Sequence, residues 1–453
     1  MYKDKGILIK IFDVEYFECK SEKISRKHKK ILNLMSGDDT MQLEVKSMLL
    51  QFNVENFKSI GSEVTLDMTA SGLSEHKDFL IEEKGVNILP VATIYGANAS
   101  GKTNVLKAFQ EFRRLIVFSR YYSNKNESND PIIPFLFDDI LSDENTTFSV
   151  FLVSGDRKKE YNYGCSLKDG IVYEEWLQER TFSKNNTIWK KVLEREKQSF
   201  AYGEQKKYKK LSGYDDLIQN NMLAVSFLGS KEIKGIDAFK EVYNWASLGF
   251  YESVVGGIDI QNALKQYMVF EKYDIHAFEE TKKFIRSIDP CIEDIEIESQ
   301  KDTQNQDVYK AYTYHKGRKF DLMNESDGTK KIFALYLQIF LVLTLGGILI
   351  VDELDAQLHP LILRKIVRMF HDKEYNKGAG QLIFSSHNLL LLNKDEMRRD
   401  EIWFVEKDVD GFTTISSLSD YKVNESCIRS DLDYGKNYLA GRFGAIPFLN
   451  EGV

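Results

Sequence analysis

The sequence predicts an α/β fold, and three stretches carry that prediction. Ile88 to Tyr95 is a short apolar run that opens into a glycine-rich loop. Ile348 to Val351 is wholly apolar and ends in two carboxylates, Asp352 and Glu353. Leu382 to Phe384 is a third apolar strand, followed by Ser385-Ser386-His387-Asn388. Strands without a polar face belong in a parallel sheet covered on both sides, with the polar chemistry at their ends.

The chain has 453 residues, 43% hydrophobic and 29% charged, a mixture that excludes a disordered or fibrous protein. Its length suits two to four units of ~100–200 residues. Lys and Arg number 61 against 69 Asp and Glu, a net charge of -8. That balance disfavours histone-like wrapping of nucleic acid but leaves room for a local basic patch. Cys19, Cys165, Cys291 and Cys427 are far apart and form no Cys-x-x-Cys pair. A zinc ribbon or disulfide scaffold is therefore not expected, and a reducing, cytoplasmic setting is. The N-terminus shows no secretion signal.

Residues 1–47, with a basic cluster at Arg26, Lys27, Lys29 and Lys30, read as a separate, poorly ordered extension or, alternatively, as a regulatory or oligomer-contacting arm. Leu50, Phe52 and Val54 alternate, as do Val64, Leu66 and Met68, which predicts two strands joined by a loop. After the glycine loop, Val105, Leu106, Ala108, Phe109, Phe112, Leu115 and Ile116 have helix spacing. Short Phe-, Val-, Tyr- and Trp-rich runs over 146–200 predict an antiparallel meander. Ala238 to Ile285 reads mostly as helix, and Ile292 to Phe320 returns to strand-like alternation. Ile332 to Val351 is long and apolar enough to suggest a membrane span. Gly346-Gly347 divide it, so a buried helix followed by a buried strand is the preferred reading, with no membrane.

The most specific motif is Gly96-Ala97-Asn98-Ala99-Ser100-Gly101-Lys102-Thr103, which fits G-x-x-x-x-G-K-[ST] between a strand and a helix. Its glycines allow a tight turn that aims successive N–H groups at phosphate oxygens, and the helix N-terminus adds partial positive charge. Gly96, Asn98, Ser100, Gly101, Lys102, Thr103 and Asn104 are the candidate ATP-binding residues. Lys102 reaches the β- and γ-phosphates, and Thr103 is a Mg²⁺ ligand. Asp352 joins the Mg²⁺ shell and Glu353 polarises the attacking water. Ser326-Asp327-Gly328-Thr329 precedes a long apolar helix and offers a second anion site through Ser326 and Gly328, with a simple helix cap as the plainer alternative. One phosphate loop is already present, so the economical use of a second is to meet ATP held by another subunit. His387 is placed to contact the γ-phosphate and orient water, and Asp355 to lie at the subunit seam.

In this order, the motifs resemble those of the ABC-type ATPase heads of the SMC and recombination-repair class, as do Asn98 and the opening Phe52-Asn53-Val54-Glu55-Asn56-Phe57-Lys58-Ser59. The ending Tyr438-Leu439-Ala440-Gly441-Arg442-Phe443-Gly444-Ala445-Ile446-Pro447 resembles ATPase subunits of bacterial anti-phage systems, the RloA-like and AriA-like group. The resemblance implies an ABC-type P-loop NTPase head with an antiparallel β subdomain and an inserted, mainly helical lobe. Its divisions are 1–47 (extension), 48–232 (first half of the head), 233–320 (inserted helical, dimerisation lobe) and 321–453 (second half). It further implies ATP hydrolysis, a homodimer or higher homo-oligomer, and a separately encoded effector nuclease or toxin. A DNA-repair ATPase and an ATP-dependent scaffold without turnover are the competing readings. Nucleic acid stays open as a partner through Lys206, Lys207, Lys209 and Lys210 and through Arg157-Lys158-Lys159.

Overall fold

The computed structural model describes residues 47–121, 132–183, 188–231, 233–253, 260–271, 276–301, 307–421 and 433–447. The proposed extension, apart from Ser47, lies outside them. The chain begins with β1 (Met48–Glu55) and β2 (Val64–Asp67), then a small hairpin of β3 (Ile81–Glu83) and β4 (Val86–Ile88). Next, β5 (Val91–Tyr95) leads through the glycine loop into α1 (Lys102–Phe118). The meander follows as β6 (Thr146–Val153), β7 (Lys159–Lys168), β8 (Ile171–Thr181), β9 (Lys190–Glu196) and β10 (Ser199–Tyr202).

The middle of the chain holds α2 (Lys206–Lys209), α3 (Ala224–Gly229), α4 (Asp237–Leu248), β11 (Phe250–Ser253), α5 (Ile260–Glu271) and α6 (Ala277–Ile288). A three-stranded sheet comes next: β12 (Asp294–Lys301), β13 (Asp307–His315) and β14 (Arg318–Asp321). The last part comprises α7 (Asp327–Leu345), β15 (Ile348–Val351), α8 (Pro360–His371), β16 (Gln381–Ser385), β17 (Ile402–Lys407), β18 (Thr413–Ser417) and α9 (Tyr434–Leu439).

Two large sheets organise these elements. The antiparallel one has the order β10-β9-β8-β7-β6-β1-β2 and contains the whole predicted meander. The central one has the order β11-β15-β16-β5-β17-β18, parallel except for the pair β17–β18. This is the α/β fold expected for a P-loop NTPase. Its strands alternate between two cores: Ile348 and Ile350 join one, Leu349 and Val351 the other. Burial on both faces is why the sequence of β15 is wholly apolar.

The first core lies between the sheets and is filled by α1. The Phe52 ring of β1 stacks on Phe109 of α1 at 3.7 Å, and Phe112 stacks on Phe148 and Tyr163 of the meander. The second core lies under α5 to α9. There α7 meets the length and composition of a membrane span, yet its apolar residues are largely buried against this core. Tyr267 of α5 donates to the carbonyl of Phe333 at 2.7 Å, and Tyr336 stacks on Phe284 of α6 at 4.3 Å. The C-terminal Tyr438–Ala445 stretch closes over β17: Tyr438 and Phe443 both stack on Phe404, and the Tyr438 hydroxyl donates to the carbonyl of Ala445.

The segment 233–320 is more deeply integrated than an inserted helical lobe. Within it, β11 pairs in parallel with β15 and extends the central sheet, while Phe239, Val242 and Trp245 of α4 belong to the first core. Strands β12 to β14 add a three-stranded sheet to its helices. A four-residue strand wedged between helices is too short to interrupt a helical reading by period alone.

A single amide joins the sheets. Gln381 opens β16 and is fully buried. Its Oε1 accepts from the Leu49 N–H at 2.8 Å, and its Nε2 donates to Leu49 O at 2.9 Å and Leu89 O at 3.3 Å. Replacement by leucine strands the Leu49 peptide groups without partners away from water. Gln381→Leu is therefore expected to destabilise the fold by about 2–4 kcal/mol, read as a lowered denaturant midpoint with the far-UV spectrum of the native state unchanged.

Candidate functional site

The phosphate loop sits where β5 meets α1. Ala99 and Gly101 take left-handed backbone angles, φ 63° and 111°, and the Gly101 carbonyl accepts from the N–H groups of Asn104 and Val105. A Cβ on Gly96 would overlap the Val405 carbonyl and Ser100 Oγ, and one on Gly101 would overlap the Thr413 side chain. The loop thus packs its backbone directly on β17 and β18. Ser100 Oγ is buried with no hydrogen-bond partner, as expected of a group kept for a ligand. Lys102 curls back over the loop, donating from Nζ to Gly96 O at 2.9 Å and Ala97 O at 3.0 Å. Burial lowers its pKa, opposed by the negative charges of Asp352, Glu353 and Asp355. Asn98 is exposed within the loop.

Asn104 has a different role from the one expected. Its Nδ2 donates to Ser59 Oγ at 2.7 Å. Ser59 Oγ in turn lies 2.8 Å from Thr413 Oγ1, which donates to Ser100 O at 3.0 Å. Asn104, Ser59 and Thr413 therefore brace the loop from behind. Helix periodicity explains this: on α1, one residue beyond Thr103 is already turned by about 100°.

The ends of β15 and β16 and the first turn of α1 converge at Asp352. Thr103 Oγ1 donates to its Oδ2 at 2.8 Å, and Ser385 Oγ donates to its Oδ1. Ser385 Oγ also accepts from the Glu353 N–H at 2.7 Å. Among the described residues no group of three or more His, Cys, Asp or Glu could hold a metal. A hydroxyl and one carboxylate suit Mg²⁺, which keeps water and phosphate oxygens as its remaining ligands. Together with the unpartnered Ser100 hydroxyl and the side-chain-free cradle, this donor set fits a Mg²⁺-bound nucleoside triphosphate.

Glu353 is exposed and takes φ 48°, an unusual angle for a non-glycine residue. Lys331 holds the loop in that shape. Its Nζ donates to Glu353 O at 3.0 Å, Leu354 O at 3.2 Å and Ala356 O at 2.8 Å. Asp355 is engaged within its own chain: Oδ2 accepts from the His387 N–H at 3.1 Å, and Oδ1 is buried without a partner. His387 is exposed just past the end of β16. At the second anion site, Ser326 is the exposed cap of α7, accepting from the Thr329 N–H at 3.1 Å. Gly328 leaves room for the nearby Gln357 carbonyl.

The motifs contain Ser59 and Ser385 but assign them no role, and they do not contain Lys331 or Thr413. Lys330 and Lys331 are adjacent in sequence but point from different sides of a helix: Lys330 pairs with Asp327 at 2.8 Å, whereas Lys331 reaches the Glu353–Ala356 loop. Only the packing of α7 against β15 separates the two. Of the basic groups considered for nucleic acid, Arg157, Lys158 and Lys159 pair with Glu83, Asp156 and Glu179. Lys158 and Asp156 remain 74% and 53% exposed in that pair.

Residues 91–393 match the family described as "AAA domain, putative AbiEii toxin, Type IV TA system", and the chain belongs to that family. It is similar to a Smc head domain from Pyrococcus furiosus, solved with an extended coiled coil and bound to the C-terminal domain of ScpA. The identity is 14%, over 82% of this chain and 96% of that one, with a TM-score of 0.45. The SMC head domain from Thermotoga maritima gives 15% identity over 82% and 98%, TM-score 0.39. The recombination mediator protein RecF gives 14% over 83% and 100%, TM-score 0.35. No curated protein matches.

Lys331→Met removes the only side-chain nitrogen on those three carbonyls among the described contacts. It is expected to lower kcat for ATP by about tenfold to 100-fold, as misplacement of a catalytic loop does. Nucleotide affinity should change little, and steady-state kinetics beside equilibrium ATP binding separates the two quantities.

Proposed function

We propose that two copies of this chain pack head to tail around two ATP molecules, hydrolyse them, and thereby control a separately encoded nuclease or toxin in bacterial anti-phage defence. The observation that supports the clasp is the exposed Ser326 at the N-terminus of a 19-residue helix. An open helix terminus beside a glycine is an anion site, and the chain already binds triphosphate at its phosphate loop. The family description, with its toxin and toxin–antitoxin terms, supports the effector part of the reading.

The chain's own groups have clear tasks. Lys102 exchanges the carbonyls of Gly96 and Ala97 for β- and γ-phosphate oxygens. Ser100 Oγ gains the partner it lacks. Thr103 and Asp352 would hold Mg²⁺, which supplies charge neutralisation at the phosphate oxygens when bound. Glu353 accepts a proton from the attacking water, His387 orients that water, and Ser385 fixes both Asp352 and the Glu353 backbone. Ser326 and Gly328 of the second copy close the site from the far side. Loss of the γ-phosphate removes what both copies grip, so the assembly loosens.

A DNA-directed repair ATPase remains the second reading in outline. It rests on Lys206, Lys207, Lys209 and Lys210, and on Arg157 to Lys159, which pair internally.

Positioned acid–base help is worth about 10²–10⁴ in rate, so Glu353→Gln is expected to retain ATP, lose turnover by that order and accumulate as a closed dimer. Mass photometry with and without ATP reads the assembly, and phosphate release reads turnover. Normal hydrolysis by this variant would remove Glu353 as the base. Lys102→Ala is expected to lose ATP binding, and unchanged affinity would count against the phosphate-loop assignment.

A further inference from the structure

Two exposed apolar surfaces flank the two anion sites. Beside the phosphate loop, the segment 132–141 forms a finger whose Phe135 stacks on Phe412 at 4.3 Å. Phe137 lies over Gly411 in the turn joining β17 and β18. Leu136, Phe137 and Ile140 are 63%, 74% and 73% exposed, and Val409 in that turn is 99% exposed. Acids rim this surface: Asp138 and Asp139 on the finger, Asp143 just after it, Asp408 and Asp410 on the turn. Asp138 and Asp408 accept hydrogen bonds from local N–H groups, and Asp143 pairs with Lys168. Lys407 Nζ is 5.8 Å from the centre of the Phe137 ring.

The second surface lies beside Ser326. Phe320 and Met323 are 42% and 55% exposed, and the β13–β14 turn carries Lys316 and Arg318 at its tip. Lys319 is taken up by Glu296 and Glu298 of its own sheet, and Glu293 accepts from the Gly317 N–H. The turn is tied to the anion site, because His315 Nε2 lies 2.7 Å from Glu325 Oε1, next to Ser326.

Contiguous exposed apolar surface rimmed by charge marks an interface. We propose that these two surfaces form the lateral seam of the head-to-tail dimer: the acidic finger and turn of one copy dock on the basic β13–β14 turn of the other. The occupant is a second copy because the complement of each surface, in apolar character and in sign of charge, is found on this chain beside the opposite anion site. A twofold arrangement makes the contact twice, each copy giving its finger and receiving its partner's. The seam rests on the clasp reading and adds to it the residues that set register. It also lies on the phosphate loop's support, since Phe412 precedes Thr413, whose hydroxyl meets Ser100 O.

The test uses the full chain carrying Glu353→Gln, with ATP, across a protein dilution series in a mass photometer. Asp139→Lys with Asp410→Lys, or Lys316→Glu with Arg318→Glu, is expected to raise the dimer dissociation constant at least about tenfold, as charge reversal at an interface rim does. Monomer ATP affinity and melting temperature should stay at parent values, which reports folding. Mixing the two reversed forms pairs opposite charges in both seams, so the mixed dimer should return to within about threefold of the parent. If the parent dimerises and the reversals leave it unchanged, or the mixture stays weak, the seam is wrong while the clasp stands. If the parent stays monomeric with ATP at every concentration, the clasp is wrong and the seam falls with it.

Discussion

The carboxylate of Asp352 is the point on which this site depends. It stands at the end of a strand buried on both faces, where an unpaired charge would be costly. Two hydroxyls make it tenable: Thr103 from the first turn of α1 and Ser385 from the end of β16. Because each donor comes from a different element, the hydrogen bonds fix the phosphate-loop helix, the carboxylate strand and the histidine strand in one arrangement. Ser385 also receives the Glu353 N–H, so the same atom sets the path of the Glu353 backbone. The central sheet supplies the frame, since β15, β16 and β5 run parallel and deliver their ends to one edge.

Much of this arrangement was legible in the sequence. Wherever a physical rule ties a residue type to a place, the reading holds: the glycine loop between β5 and α1, the apolar β15 before Asp352, the meander of β6 to β10, and the long apolar helix α7 after Ser326. What escaped it lacks such a rule. Strand β11 is four residues between helices, and its identity comes from pairing with β15, more than ninety residues on in sequence. Asn104 was grouped with the ligand contacts by adjacency, yet it turns to Ser59 across the fold. The role of Lys331 depends on which side of α7 meets the catalytic loop.

Lys331 and Glu353 also show how strain is held at the site. A left-handed angle at a glutamate costs free energy that surrounding contacts must offset. Three carbonyls on one ammonium group provide such contacts, and the ammonium belongs to the helix whose N-terminus Ser326 caps. The shape of the catalytic loop and the position of that terminus are thus linked within one chain.

The amide of Gln381 gives the molecule a further property. Strand β16 is pinned at its start to β1 and at its finish to Asp352. A strand fixed at both ends behaves as a push-rod: it is stiff along its length and cannot slide without breaking one anchor. Displacement of the meander would be transmitted axially to Ser385 and His387, with little lost to bending. The antiparallel sheet is in this sense a handle on the reaction centre, and mechanical load on it should be felt at the triphosphate.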